Sequence, residues 1–253
     1  MHDEAQGGDT WEYFTSPAGV RRAKATGAGE ALAARLAVER PAHLLESASQ
    51  LLSEINAAYR TIQRRSDLPR LAEAWLGILQ SALPLPVGLD AIAEGQTSIA
   101  TAYVAALKAA LPLDVKGRPF SLCSKWCHTL FPNTFAIYDT HMARSVKAWS
   151  DLEFVKLRPM APVRLQFDVE HRHWVQHWGD PGWYTGILRF YEKIWAAARQ
   201  MDGADALVGA ADTLRDMVGL LAGDAPVQIT VLDLIDNLLW QADGDRSVLG
   251  LSA

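Results

Sequence analysis

Apolar side chains recur at helical spacing along most of the chain. Between positions 42 and 63 they stand three or four residues apart, and the same spacing recurs over 67–83 and 97–111. Such a stripe is typical of an amphipathic α-helix packed on a core. The pattern predicts further helices at about 29–39, 119–130, 140–149, 183–200, 204–221 and 229–241. The predicted fold class is therefore all-α.

Period-two alternation is confined to residues 135–138 (FAIY), which we expect to cross the core as a briefly extended segment. Proline and glycine predict loops at 82–95, 111–119 and 151–182, and the last of these is rich in His and Trp. The predicted organisation is a disordered acidic segment over 1–10 followed by a single all-α unit over 11–253. We expect its candidate chemistry to lie in the central part, 97–150.

Composition supports a folded protein without a metal cluster. Hydrophobic residues make up 49% of the chain and charged residues 21%, which is not the balance of a disordered protein. Two cysteines, Cys123 and Cys127, cannot supply the ligand set of a Cys₄ zinc or iron–sulfur site. We expect two reduced thiols and no cofactor.

The charge is distributed unevenly. The net charge of −5 argues against a protein that binds nucleic acid or anionic lipid over its whole surface. Residues 114–164, however, hold eight Lys or Arg against four Asp or Glu, so this segment is +4 and the rest is −9. Such a basic centre suits a local phosphate-binding face, and it suits equally a solvated helical surface.

The chain shows no membrane or export signal. Its start lacks a basic segment followed by an apolar run, and no stretch approaches the roughly 18 apolar residues of a membrane span. We therefore expect a cytoplasmic monomer that does not contact a membrane.

Asp139 is predicted at the start of a helix, directly after the extended segment. Backbone N–H groups and the helix dipole keep a carboxylate ionised at such a position. An ionised carboxylate that faces a cleft can stabilise a cationic transition state or activate water. The alternative is a plain helix cap.

The residues around Asp139 resemble a known signature. The runs SKWCH (124–128), FPNTFAIYD (131–139) and YDTHMARSV (138–146) resemble the helix–hairpin–helix DNA glycosylase superfamily, most closely a bacterial branch related to 8-oxoguanine glycosylases. The resemblance covers residues 119–149. It implies a two-lobed helical bundle with a cleft between the lobes, and a DNA N-glycosylase that flips a damaged or modified base out of double-stranded DNA. The hairpin is degenerate, because Gly117 is its only glycine.

The resemblance also implies roles for particular residues. Asp139 assists cleavage of the N-glycosidic bond, and Lys125 is the candidate nucleophile, which would add AP-lyase activity. The separation of Lys125 from Asp139 is 14 residues, about four fewer than in the better-known members, or close to one helical turn. Strict counting places Ser121 in the nucleophile position instead. The implied DNA contacts are Lys116, Gly117, Arg118, Arg144 and Lys147, and the implied base pocket comprises Trp126, Tyr138 and Trp178.

Several alternatives stay open at this point. The target base is an oxidised purine or a hypermodified pyrimidine of the kind found in phage DNA, and the role is repair or antiphage defence. His171, His173 and His177 form a loop that lines a pocket, packs structurally or binds a metal. In the last predicted helix, Asp236 and Trp240 lie near the cleft or, with Asp233, on a solvated capping face. The competing functions are a catalytically inactive DNA-binding relative and an all-α protein-interaction module.

Overall fold

In this computed structural model, the structure describes residues 10–59, 67–81, 103–104, 106–107, 109–110, 119–138, 142, 181–200 and 203–242. These residues form eight helices: α1 (Thr10–Thr15), α2 (Pro17–Leu36), α3 (Pro41–Tyr59), α4 (Leu68–Ser81), α5 (Pro119–Leu130), α6 (Pro181–Gln200), α7 (Ala204–Ala222) and α8 (Val231–Ala242). Within the described ranges there is no strand, so the all-α prediction is confirmed for this part of the chain.

The predicted helix bounds differ most at the start of the chain. α5 has the predicted bounds, and α3, α4, α6, α7 and α8 agree to within a few residues. The pattern predicted only the end of α2 and missed α1, which begins at Thr10. Ser16 starts α2, because its Oγ accepts the N–H of Gly19 over 3.0 Å. The predictions for residues 1–9 and 151–180 lie outside the described residues.

α2 is the central helix of the described bundle, and it packs against α3, α5 and α7. Glycines permit its closest approaches. A Cβ at Gly29 would overlap the backbone carbonyl of Thr129 in α5, and one at Gly27 would lie 2.5 Å from the carbonyl oxygen of Pro226. Backbone therefore packs on backbone along this face, which explains why its hydrophobic pattern is weak.

Two hydrogen bonds join α4 to the helical residues around 103–107. The indole N–H of Trp75 donates to the carbonyl oxygen of Leu107 over 2.9 Å. The hydroxyl of Tyr103 donates to the carbonyl oxygen of Leu79 over 3.1 Å. Trp75 also packs against Trp126 of α5, with ring centroids 5.9 Å apart. The core is thus continuous from α4 to α5.

Residues 135–138 are buried between α5, α6 and α8 and form neither helix nor strand, and their extended conformation stays a prediction. Side chains satisfy their backbone polar groups. The carbonyl of Phe135 faces Nδ1 of His128 over 2.6 Å, and the carbonyl of Ala136 accepts the hydroxyl of Tyr184 in α6 over 2.9 Å. The N–H of Tyr138 donates to Ser124 Oγ over 3.0 Å. Three hydrogen-bond contacts, at Phe135, Ala136 and Tyr138, hold this segment, and Asp139 follows it in the sequence.

Cys123 and Cys127 are buried thiols of α5 that form no disulfide, as expected, and burial raises the pKa of the Cys127 thiol well above its ordinary value. Among the described residues, no group of His, Cys, Asp and Glu side chains is arranged to hold a metal ion. No described helix is long and apolar enough to cross a membrane.

Candidate functional site

Lys125 lies inside the bundle. Its side chain is 5% exposed, and Nζ donates a hydrogen bond to Ser121 Oγ over 3.0 Å. The two residues are one helical turn apart, which places both on the same face of α5. Nζ also lies 5.0 Å from the centre of the Tyr59 ring at the end of α3. The two residues that compete for the nucleophile position are therefore direct neighbours.

The burial of Lys125 affects which cations of the basic segment 114–164 can form a phosphate-binding surface. Of the eight cations in 114–164, Lys125 alone lies in a described range, and it faces the interior. A phosphate-binding surface in this segment therefore depends on the other seven. The amine of Lys125 instead lies inside the fold.

Ser124 connects the helix of Lys125 to the segment before Asp139. Its Oγ accepts the Tyr138 N–H over 3.0 Å and donates to the carbonyl of Ser121 over 3.0 Å. Ser124 precedes Lys125 in sequence, and Tyr138 precedes Asp139. One buried hydroxyl thus joins the neighbours of both candidate catalytic residues.

A pocket opens beside this junction, between α1, α2, α3 and α8. The empty space is about 340 Å³ when open solvent at the mouth is included, although the enclosed part holds little more than one water molecule. The wall combines aromatic rings, aliphatic side chains and charged groups. Its lining residues are Tyr13, Phe14, Gly19, Arg22, Ala23, Tyr59, Ile137, Gln228, Ile229, Asp233 and Asp236.

Arg22 is the cation of this pocket. Its guanidinium carbon lies 5.0 Å from the ring centre of Tyr13 and 5.2 Å from that of Tyr59. Arg22 Nε is buried and has no hydrogen-bond partner among the described residues. The Tyr59 ring therefore contacts the cationic groups of both Arg22 and Lys125. At the pocket, Arg22 presents a donor group that is shielded from solvent.

Asp233 and Asp236 are the carboxylates of the pocket. Asp233 lies within hydrogen-bond distance of His128 Nε2 at 2.9 Å, and it accepts the backbone N–H of Thr230 over 2.8 Å. Asp236 accepts the hydroxyl of Tyr191 over 3.0 Å. Both carboxylates are thus fixed by contacts to α5, α6 or the start of α8.

Glu30 of α2 adds a third carboxyl close to this pair. It accepts a hydrogen bond from Gln228 Nε2 over 3.3 Å. Burial raises the pKa of Glu30, and the charge of Asp233 raises it further, although the Gln228 bond acts in the opposite direction. Asp233 and Asp236 therefore supply negative charge to the pocket wall, and Arg22 supplies positive charge.

Comparisons with protein-family models, with characterised proteins and with solved structures find no match to this chain.

The predicted site residues divide into two groups. Lys125, Trp126 and Tyr138 are described, and all three are buried on or beside α5. Trp126 packs on Trp75 and does not line the pocket, and its indole N–H has no partner among the described residues. This burial favours the core role for Trp126 over a base-stacking role. The residues outside the described ranges are Asp139, Lys116, Gly117, Arg118, Arg144, Lys147 and Trp178, along with His171, His173 and His177.

Sequence reasoning missed Arg22, Tyr13 and Gln228, and it assigned Tyr59 to a core stripe. The sequence did contain one indication of Arg22. This residue lies three positions after Gly19 and four before Thr26, on a helix face of small residues. A single cation on a small-residue face predicts a close approach of something polar. For α8, both Asp233 and Asp236 line the pocket, and Asp233 also caps the start of the helix.

The pocket combines several kinds of chemical group. Aromatic rings offer stacking surfaces, a guanidinium and carboxylates offer opposite hydrogen-bonding polarity, and a buried amine lies behind Tyr59. A neutral planar molecule with both donors and acceptors on its edge matches this chemistry better than an anion does.

Proposed function

We propose that this protein is a DNA N-glycosylase that removes a damaged or modified base from double-stranded DNA. In this proposal it acts as a cytoplasmic monomer with a two-lobed helix–hairpin–helix fold. The observation that supports it best is the hydrogen bond between Ser124 Oγ and Tyr138 N, which fastens the helix of Lys125 to the residue preceding Asp139. A glycosylase needs these two groups in one place, because one carries out attack and the other stabilises the sugar.

In the proposed complex the flipped base enters the pocket beside Tyr59. Because the enclosed part is small, we expect the Arg22 side chain to move as the base enters and to donate its unpartnered N–H to a base acceptor. Asp236 and Gln228 are then placed to accept or donate along the same edge. Removing a base from the stack costs a few kcal/mol, which stacking and these hydrogen bonds offset.

The proposed chemistry divides between two residues. Asp139 stabilises the positive charge that develops on the sugar as the N-glycosidic bond breaks, and it orients the attacking group. In the lyase route the neutral Lys125 amine attacks C1′ and the base leaves with the bonding electrons, while Asp139 relays the amine proton to it. The C1′–O4′ bond then opens, O4′ takes the second amine proton, and a Schiff base remains. The hydrogen bond to Ser121 Oγ orients the amine. In the hydrolytic route water attacks instead, and Asp139 accepts its proton.

The test is base release from duplex oligonucleotides that each carry one oxidised purine or one modified pyrimidine. Wild-type protein is expected to leave an alkali-labile abasic site in at least one of them. Asp139→Asn is expected to lower the single-turnover rate by about 10²–10⁴-fold, the range for loss of an acid–base group. The matched control is Asp216→Asn, because the Asp216 side chain on α7 is 77% exposed.

Lys125→Gln separates the two routes. If Lys125 is the nucleophile, borohydride reduces the Schiff base and links wild-type protein to DNA, and Lys125→Gln is not linked. Lys24→Gln on α2 is the control for loss of a lysine charge. Thermal unfolding of each variant verifies that it folds, since Lys125 is buried.

The competing functions give different results. A catalytically inactive relative binds duplex DNA with a salt-dependent affinity and releases no base from any substrate. A protein-interaction module shows no affinity for DNA even at low salt. Contacts from Lys116, Arg118, Arg144 and Lys147 predict a slope of log affinity against log salt of roughly −4.

A further inference from the structure

His128 is completely buried in the last turn of α5, and both of its ring nitrogens face oxygen atoms. Nδ1 lies 2.6 Å from the carbonyl oxygen of Phe135, and Nε2 lies 2.9 Å from Oδ1 of Asp233. A backbone carbonyl can only accept a hydrogen bond, so Nδ1 must carry a proton. The charge of the ring then depends on which partner holds the proton between Nε2 and Asp233.

The surroundings of Asp233 favour its ionised form. Its second oxygen, Oδ2, accepts both the backbone N–H and the hydroxyl of Thr230, each over 2.8 Å. Thr230 Oγ1 in turn accepts the Asp233 N–H over 3.3 Å, which completes a reciprocal cap at the start of α8. Donors to a carboxylate and the positive end of a helix both stabilise its negative charge. The proton therefore belongs to Nε2.

The other charged groups that face His128 are acidic. Asp236 approaches from α8 and Glu30 from α2, in addition to Asp233. Burial acts to lower the pKa of His128, but the charge and hydrogen bond of Asp233, the Phe135 carbonyl and Asp236 outweigh it, and the pKa is raised. Electrostatics and hydrogen-bond geometry thus agree.

We propose that His128 is a buried imidazolium, charged at neutral pH, that acts as a positioning residue by holding the Phe135–Tyr138 segment against the start of α8. The two ends of this link both reach the pocket, because Ile137 and Asp233 line it. Loss of one proton would remove the link, so the pocket wall and the segment before Asp139 respond to pH together. The relevance to base excision rests on the proposed function, whereas the imidazolium itself does not.

The pair also sets the charge of the pocket. The positive charge on His128 neutralises Asp233, which leaves the charges of Arg22 and Asp236 among the lining residues. A pocket with one cation and one carboxylate suits an uncharged ligand that carries both donors and acceptors. A singly protonated His128 would leave a surplus negative charge there.

The decisive experiment is NMR of the full chain with ¹⁵N-labelled histidine, titrated from about pH 5 to pH 9, the range that brackets an ordinary histidine pKa. Both ring nitrogens of His128 are expected to resonate as protonated, N–H-bearing nitrogens at pH 7. A deprotonated ring nitrogen of His128 at pH 7 would overturn the proposal. His43→Gln assigns the signal of an exposed histidine on α3, which serves as the comparison.

The positioning role is tested by amide hydrogen exchange in the same pH series. The protection factor of the Tyr138 amide, corrected for intrinsic exchange, is expected to fall about tenfold as His128 loses its proton. In Asp233→Asn the protection is expected to be low at every pH, and in Asp216→Asn it should follow wild type. If the protection factor of the Tyr138 amide in wild-type protein does not change as His128 loses its proton, the positioning role is refuted. This outcome can be read from wild-type protein even if Asp233→Asn does not fold.

These experiments use no DNA, so their failure leaves the proposed glycosylase activity untouched. Conversely, absence of base release from every substrate overturns the proposed function and leaves the imidazolium intact. Where base release is found, its rate should fall over the same pH interval in which His128 loses its proton.

Discussion

The backbone N–H of Tyr138 donates to Ser124 Oγ over 3.0 Å, in a place where neither group reaches solvent. The donor belongs to a segment that forms neither helix nor sheet, so this N–H depends on a side chain for its partner. The contact sets the position of the chain one residue before Asp139, and Ser124 lies one residue before Lys125. It is therefore the shortest described connection between the two candidate catalytic positions.

Ser124→Ala should cost about 1–3 kcal/mol of the free energy of unfolding, since it leaves the Tyr138 N–H buried and unpaired. Urea unfolding measures this loss. Ser49→Ala is the matched control, because Ser49 Oγ only donates to the Leu45 carbonyl within its own helix. A loss no larger than that of the control would show that the contact does not constrain the segment. Base release should fall in Ser124→Ala if Asp139 is catalytic.

Gly29→Ala should destabilise the fold by roughly 1–3 kcal/mol or more, because a methyl group there overlaps the Thr129 carbonyl and must separate α2 from α5. Gly77→Ala in α4 is the control. A Cβ at Gly77 meets nothing within 4 Å, so the change should stabilise the exposed helix by about 0.5–1 kcal/mol. In thermal unfolding, Gly29→Ala is expected to lower the melting temperature and Gly77→Ala to raise it. Equal effects would mean that α2 and α5 do not approach so closely.

The sequence predicts those helices that bury large side chains. In α3, Leu44, Leu51 and Ile55 form a single buried stripe, and the bounds of α5 follow from Pro119 at its start and Pro132 after its end. α2 escapes the pattern, because its buried positions are mostly Gly, Ala and Thr, which give a weak hydrophobic signal. α1 is too short to show a period.

The candidate site was predictable only where it lies in one stretch of sequence. Lys125 and the extended segment come from adjacent motifs, so local spacing indicates them. The partnership of His128 with Asp233 joins residues 105 positions apart, and the contact of Arg22 with Tyr59 joins α2 to α3. Such pairs depend on how helices pack, which a pattern of hydrophobic positions along one helix does not specify.

Stability should fall with rising pH above the ordinary pKa of histidine. His128 has a folded-state pKa raised above the unfolded value of about 6.5, so its contribution is fully present below that value. The contribution is lost as the pH rises through the folded pKa, by about 1.4 kcal/mol per pH unit within that interval. Urea unfolding at a series of pH values measures it. Asp233→Asn should abolish this pH dependence, and a slope equal to wild type would contradict the assignment.

Arg22→Met should leave the fold intact and weaken base release. Methionine keeps an apolar stem between Tyr13 and Tyr59 and removes a buried donor that has no described partner, so the free energy of unfolding should change by no more than about 1 kcal/mol. A hydrogen bond to a charged donor is worth about 1.5–3 kcal/mol, which corresponds to a roughly 10- to 150-fold lower rate of base release. Arg21→Met, at the exposed neighbouring position, is the control. Equal rates in the two variants would exclude Arg22 from the base pocket.

The most direct test of the account is to look for the released base itself. Duplex DNAs that together contain oxidised purines and modified pyrimidines are incubated with the protein, and the small-molecule fraction is analysed by mass spectrometry while abasic sites are counted in the DNA. Wild-type protein and Asp216→Asn are expected to give one free base and an equal number of abasic sites, and Asp139→Asn is expected to give both products about 10²–10⁴-fold more slowly. Release that Asp139→Asn leaves unchanged, or no free base from any DNA, would contradict it.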